Sequence, residues 1–153
     1  MEHVEYAYTT GMSEAAIEER LQTADTGVLA LCADGTSRAI PLAHYYDGEG
    51  LYFRLGKTDG SEKWAALDQT ETATYVVYGT EPTDDPNELE SWSVHITGKP
   101  RELPDTEHER FDTAEINRRF SPIRVFDESI DDIEIAIVEL DIDSMTGRAT
   151  TET

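Results

Sequence analysis

The chain has 153 residues, the length of a single domain spanning 1–153 and enough to bury a sizeable core. It carries 33 acids against 12 bases, a formal net charge of −21, which argues against nucleic acid or an anionic membrane as partner because both demand basic surfaces. No apolar stretch approaches the ~20 residues that span a bilayer, and 38% hydrophobic residues in strand-like runs argue against disorder.

Residues 1–11 are expected to be flexible and contain no basic patch followed by an apolar run, so they do not read as a secretory signal. Ser13 then opens a helix, SEAAIEERLQTAD, with Ile17, Leu21 and Ala24 on one face and Glu14, Glu18 and Glu19 toward water. Gly27 begins GVLALCA, a continuous apolar run that reads as a buried strand. Cys32 is expected to be packed and inert within it, since nothing nearby would lower its pKa. A DGT turn at Asp34–Thr36 leads into SRAIPLAHYY, and DGEG at Asp47–Gly50 leads into LYFRLG; together these predict an antiparallel meander.

A loop from Gly56 to Ser61 precedes a short helix with Trp64 and Leu67 inward, and TATYVVYG returns to strand. The polar loop TEPTDDPNELE separates it from SWSVHITGKPREL, where Trp92, Val94 and Ile96 alternate. Pro104 and Asp105 are expected to start a helix running through Phe111, Ala114 and Phe120. In IEIAIVELDI the apolar phase moves from Ile133, Ile135 and Ile137 to Val138, Leu140 and Ile142, which predicts a β-bulge near Ile137. Residues 149–153 are expected to fray. The sum is a mainly β fold: six antiparallel strands closing into a barrel, with about three short helices.

The acids are spread along the whole length, and lysine is reduced to Lys57, Lys63 and Lys99. This is similar to proteins from halophilic, salt-accumulating microbes, where a Debye length of ~3 Å at molar salt screens self-repulsion. One cysteine excludes an internal disulfide, and a reducing, cytoplasmic setting is expected.

An anionic ligand on so acidic a chain must be met by clustered cations. Arg38, Arg54, Lys57 and Lys63 fall within 26 residues of one another, and Arg54 interrupts an apolar strand, which is costly unless its head reaches solvent or an anion. The competing reading, that these cations pair with neighbouring carboxylates, stays open. His44 reads as a satisfied barrel-wall histidine ahead of a proton donor, and His95 as a solvent or interface residue. No metal site is expected, because the four histidines and one cysteine lack ligand spacing. Asp84 with Asp85, and Asp131 with Asp132, read as solvated surface. Trp92 either stacks on a ring or fills core, and Pro41 within a strand marks an edge or a break where a ligand can approach the backbone.

The order of GVLAL, SRAIPL, LYFR, GSEKWAAL and WSVHITGK resembles that of the pyridoxamine 5′-phosphate oxidase-like family, the FMN-binding split barrels, over Met12 to Arg148. The resemblance implies a homodimer with FMN in grooves between subunits. It implies that Arg38 lies near the phosphate, that the backbone of Ile40, Pro41 and Leu42 runs beside the flavin ring, and that Phe53 and Arg54 face the cofactor. Ser61 and Lys63 match the outer members of a Ser-Arg-Lys phosphate grip, and Ser93 a polar position beside the ring. Two residues depart from the oxidases: Glu62 replaces the middle arginine, and Ala43 replaces a lysine. Both point away from pyridoxamine phosphate oxidation, toward the branch that resembles flavin reductases, nitro-compound reductases and users of the deazaflavin F420. An FMN-dependent oxidoreductase is therefore expected. An F420-binding reductase and a non-catalytic flavin or haem binder stand as alternatives.

Overall fold

The computed structural model describes residues 9–57, 62–120 and 134–150, so Ser61, Asp131, Asp132 and Ile133 lie outside the described residues. The strands are β1 (Thr10–Gly11), β2 (Thr26–Ala33), β3 (Thr36–Ala43), β4 (Tyr45–Tyr46), β5 (Leu51–Lys57), β6 (Ala73–Pro82), β7 (Leu89–Glu102) and β8 (Glu134–Ala149). Helices α1 (Glu14–Thr23), α2 (Glu62–Gln69) and α3 (Ala114–Arg119) complete the fold with a 3-10 turn at Asp105–Phe111. Ser13 caps α1 through its hydroxyl, which accepts from the Ala16 N–H at 3.2 Å.

All strands are antiparallel in one sheet, ordered β3-β2-β6-β7-β8-β5-β4 with β1 on β8. Eight strands replace the six expected. One extra is the two-residue β1. The other arises because SRAIPLAHYY is not one strand: it breaks at His44, so β3 pairs with β2 while β4 pairs with β5. This break bends the two ends of the sheet together and leaves β3 and β5 side by side without a ladder, the split in the barrel.

Strand alternation sends Leu29, Leu31, Ile40, Leu42, Phe53, Tyr75, Val94, Ile96 and Leu140 into the barrel core. A second cluster lies outside the barrel, where Tyr52 and Ile137 meet Leu103, Phe111, Ile116 and Phe120. That cluster corrects the expected bulge near Ile137. The run Ala136-Ile137-Val138 is buried on both strand faces, so its apolar phase changes with no slip in register. The irregularity sits instead at Thr97/Gly98, opposite Asp143. Gly98 is needed there, because a Cβ would fall 2.1 Å from the Asp141 carbonyl oxygen.

Three further expectations are corrected. The helix after Pro104 is two pieces, because Thr113 starts α3 afresh by accepting from the Ile116 N–H at 3.2 Å. Thr10 and Gly11 pair with Ala149 and Arg148, so these ends belong to the sheet. Cys32 is exposed: Leu29 and Leu31 take the inward positions of β2, leaving Val28, Ala30 and Cys32 outside.

The outer face carrying Cys32 is unusual for this chain. One cross-strand row is Pro41, Val28, Val76, His95 and Thr146, and the next is Ala39, Ala30, Thr74, Thr97 and Ser144. None is a carboxylate, although roughly one residue in five of the sequence is acidic. Among the described residues no helix is long and apolar enough to cross a membrane.

Candidate functional site

β3 is the terminal strand of the sheet path, as Pro41 implies, and Pro41 itself is exposed. Where β3 faces β5 across the split, Ile40, Leu55, Gly56, Lys63, Trp64 and Leu67 line a narrow cleft enclosing only about 10 Å³. Helix α2 forms one wall. Its Trp64 is held by an indole N–H donating to the Gly56 carbonyl at 3.0 Å, and Ala66 and Leu67 are buried beneath it. Lys63 is exposed on the same helix and makes no ion pair among the described residues. Arg38 approaches from β3, and its guanidinium pairs with Glu62 at 2.8 Å.

Thus Arg38, Ile40 and Lys63 are brought together, with Pro41 and Leu42 following on the same strand. Leu42 faces the core and Pro41 the outside. Phe53 and Arg54 are not brought to them. Phe53 is fully buried against Tyr75, ring centroids 4.8 Å apart. Arg54 leaves the opposite face of β5, donates to Asn117 at 2.6 Å and lies 4.7 Å over the Phe120 ring. Burial lowers its pKa, partly offset by the Asp112 carboxylate. Its cost in the strand is met by α3, not by a ligand anion, so the expected convergence of Arg54 with Arg38 does not occur. Ser61 lies outside the described residues. Trp92 is half-buried at the α1 side of the barrel, with the Arg20 guanidinium 4.5 Å above it, and Ser93 sits beside it on the outer face of β7.

His44, at the β3–β4 break, is wholly buried. Its Nε2 lies 2.9 Å from the Leu21 carbonyl and its Nδ1 2.8 Å from the Tyr75 hydroxyl, which also reaches the Leu42 carbonyl at 3.0 Å. A carbonyl only accepts, so Nε2 carries the proton. Burial is the main cause that lowers the His44 pKa, while the hydrogen bond to Leu21 raises it. This is the satisfied barrel histidine the sequence suggests. His95 is exposed, and Asp84 and Asp85 are exposed. Among the described residues no three His, Cys, Asp or Glu side chains gather as metal ligands.

Sequence reasoning did not name Leu55, Gly56, Trp64 and Leu67 as site residues. The signal available was the i, i+3 spacing of Trp64 and Leu67 beside the Gly56 loop. A larger open depression of about 600 Å³ lined by Cys32, Ala33, Asp34, Gln69, Glu71 and Thr72 holds two carboxylates and no cation, which disfavours an anion there. The split differs: an apolar floor, a strand edge unpaired among the described residues, and two cations, one of them paired with Glu62. Those features suit one face of an aromatic, anionic group such as a flavin phosphate. The enclosed volume of about 10 Å³ is far too small to surround such a group.

Comparison with known proteins agrees with this fold. The pyridoxamine 5′-phosphate oxidase family matches residues 13–149. Among solved structures, an FAD-binding protein from Mesorhizobium loti superposes with a TM-score of 0.71 at 17% identity, covering 94% of this chain and 99% of that one. The FAD and heme binding protein from Mycobacterium smegmatis gives 0.66 at 18% identity, covering 92% of this chain and 72% of that one. The FAD binding protein from Mycobacterium smegmatis gives 0.58 at 15%, covering 93% and 98%. No curated protein matches the sequence. With the family matched across nearly the whole chain and the split-barrel fold in place, this protein belongs to the pyridoxamine 5′-phosphate oxidase family.

Proposed function

We propose that this chain is a flavoprotein that holds its flavin along the free edge of β3 and uses it as an electron carrier, an oxidoreductase whose donor and acceptor are small molecules. The observation that carries the reading is the cleft at the barrel split, where Arg38 and Lys63 flank an apolar floor of Ile40, Leu55, Trp64 and Leu67. FMN is the cofactor the family resemblance leads one to expect. The flavin would supply the redox chemistry; the chain's own part is to bind, orient and shield it. Similarity to structures described as FAD-binding supports a flavin as the ligand. Mass spectrometry of the small molecule that co-purifies in molar salt tests it. A flavin mass is expected, and a protein that is colourless and binds no added riboflavin refutes the reading.

The working unit of this proposal is a homodimer. A single chain presents one wall of the site, and its two acid-free rows on β3, β2, β6, β7 and β8 can meet a copy of themselves without bringing carboxylates together. A partner would also bring outer-face residues such as Ser93 of a second copy toward the groove. Light scattering in molar KCl is expected to return twice the chain mass. A monomer mass with flavin bound would refute the dimer and leave the flavin reading standing.

A further inference from the structure

We infer that Glu62 is a specificity residue that makes this site favour a flavin pyrophosphate, the class to which FAD belongs, over the phosphomonoester FMN. The inference rests on the proposal that a flavin lies along β3, and it refines which flavin. Glu62 and Lys63 are adjacent at the start of α2. Lys63 lines the cleft, and Glu62 holds the Arg38 guanidinium at 2.8 Å. The carboxylate therefore already occupies the cation that β3 offers to an incoming phosphate.

Arg38, Glu62 and Lys63 together leave one positive charge for the ligand. A phosphomonoester brings about −1.5 to −2 near neutral pH. It would exceed the local cation and sit beside a displaced carboxylate. Each phosphate of a disubstituted pyrophosphate has no second ionisation and brings a single charge, so the one beside the cleft is matched by one cation. In FAD the second phosphate is displaced along the chain of the ligand and need not share the oxygen positions nearest Glu62. Glu62 is 78% exposed, so it is free to swing from Arg38, but it stays tethered next to Lys63. Its effect is therefore on phosphate charge and not on the ring.

The test is a titration of riboflavin, FMN and FAD into the full chain and into Glu62→Gln, at fixed ionic strength. In the wild type FAD is expected to bind more tightly than FMN. Glu62→Gln should tighten FMN by about tenfold, the scale of one charge-assisted hydrogen bond, change riboflavin little, and narrow the gap between FAD and FMN. Because Glu62 is exposed, the variant is expected to melt like the wild type, which a thermal scan checks. FMN binding the wild type as tightly as FAD, or gaining no more than riboflavin in the variant, overturns this inference alone. Failure of all three ligands, riboflavin included, overturns the flavin reading and this inference together.

Discussion

Replacing His44 by alanine is expected to destabilise the fold by about 3–5 kcal/mol, the range for deleting a large buried ring. The native state of a domain this size holds roughly 5–15 kcal/mol, so the loss is a large share of the total stability. His44 sits where SRAIPLAHYY breaks between β3 and β4, and its ring ties the break to two other elements. Nε2 donates to the last turn of α1 at Leu21, and Nδ1 faces Tyr75 of β6. Removing the ring leaves a void beneath α1 and strips the Leu21 carbonyl of a donor. Chemical denaturation of His44→Ala reads the loss. A variant within 1 kcal/mol of the wild type would mean the break is held by the backbone alone, through the His44 N–H to Asp25 at 3.0 Å.

The same residue sets a pH dependence. Its pKa is lowered in the native state, by burial first and by the Arg119 guanidinium in lesser part, while Asp25 and the Leu21 hydrogen bond act the other way. In the unfolded chain it titrates near 6.5. As pH falls below that value, the unfolded state takes up a proton that the folded state refuses, so stability drops. The contribution is complete above about pH 6.5 and declines until the native pKa is passed. Lowering the pH also relieves repulsion among the carboxylates, which stabilises every variant alike. The difference in slope between wild type and His44→Gln from pH 7.5 to 5.5 therefore isolates the histidine. Parallel curves would show that His44 does not titrate differently in the two states.

The second large effect is that of salt. Twelve bases cannot match 33 acids, so most carboxylates have no cation partner. The Debye length shrinks from ~30 Å at 0.01 M to ~3 Å at 1 M, which reduces self-repulsion from a whole-molecule force to a nearest-neighbour one. Salt also weakens exposed pairs such as Arg101–Glu139. Such a pair contributes at most about 1 kcal/mol, and the described pairs are few beside the unmatched acids. Repulsion therefore decides the sign. The melting temperature is expected to rise by at least ~10 °C from low salt to molar KCl, about 3 kcal/mol for a domain of this length. A flat or falling curve would show that the carboxylates are too well solvated to oppose folding, and would remove the argument for a salt-adapted chain.

Much of the fold was legible in local patterns. Ser13 announces α1 because a hydroxyl ahead of an i, i+4, i+7 apolar stripe is a helix start wherever it occurs. The DGT and DGEG turns, the alternation through Trp92, Val94 and Ile96, and the Trp64–Leu67 face are equally local signals, and each has its counterpart in the structure. The proximity of Arg38, Ile40 and Lys63 around the split was also expected from the order of short segments, since segment order is what a shared fold preserves.

What periodicity cannot encode is which element covers the other face of a strand. Arg54 reads as a cation awaiting an anion until α3 and its C-cap, more than 50 positions away, supply Asn117 and Phe120. Ile137 reads as a slipped register until a second cluster is seen to bury the outer face of β8. Cys32 reads as buried because its strand is apolar throughout, yet alternation places it on the exposed outer face. The Arg38–Glu62 pair joins a strand to a helix 24 residues apart. The sequence by itself determined most of the elements, their order and the excess of negative charge. Tertiary structure alone decided which cations remain free for a ligand, because that depends on partners brought together by long-range pairing across the sheet.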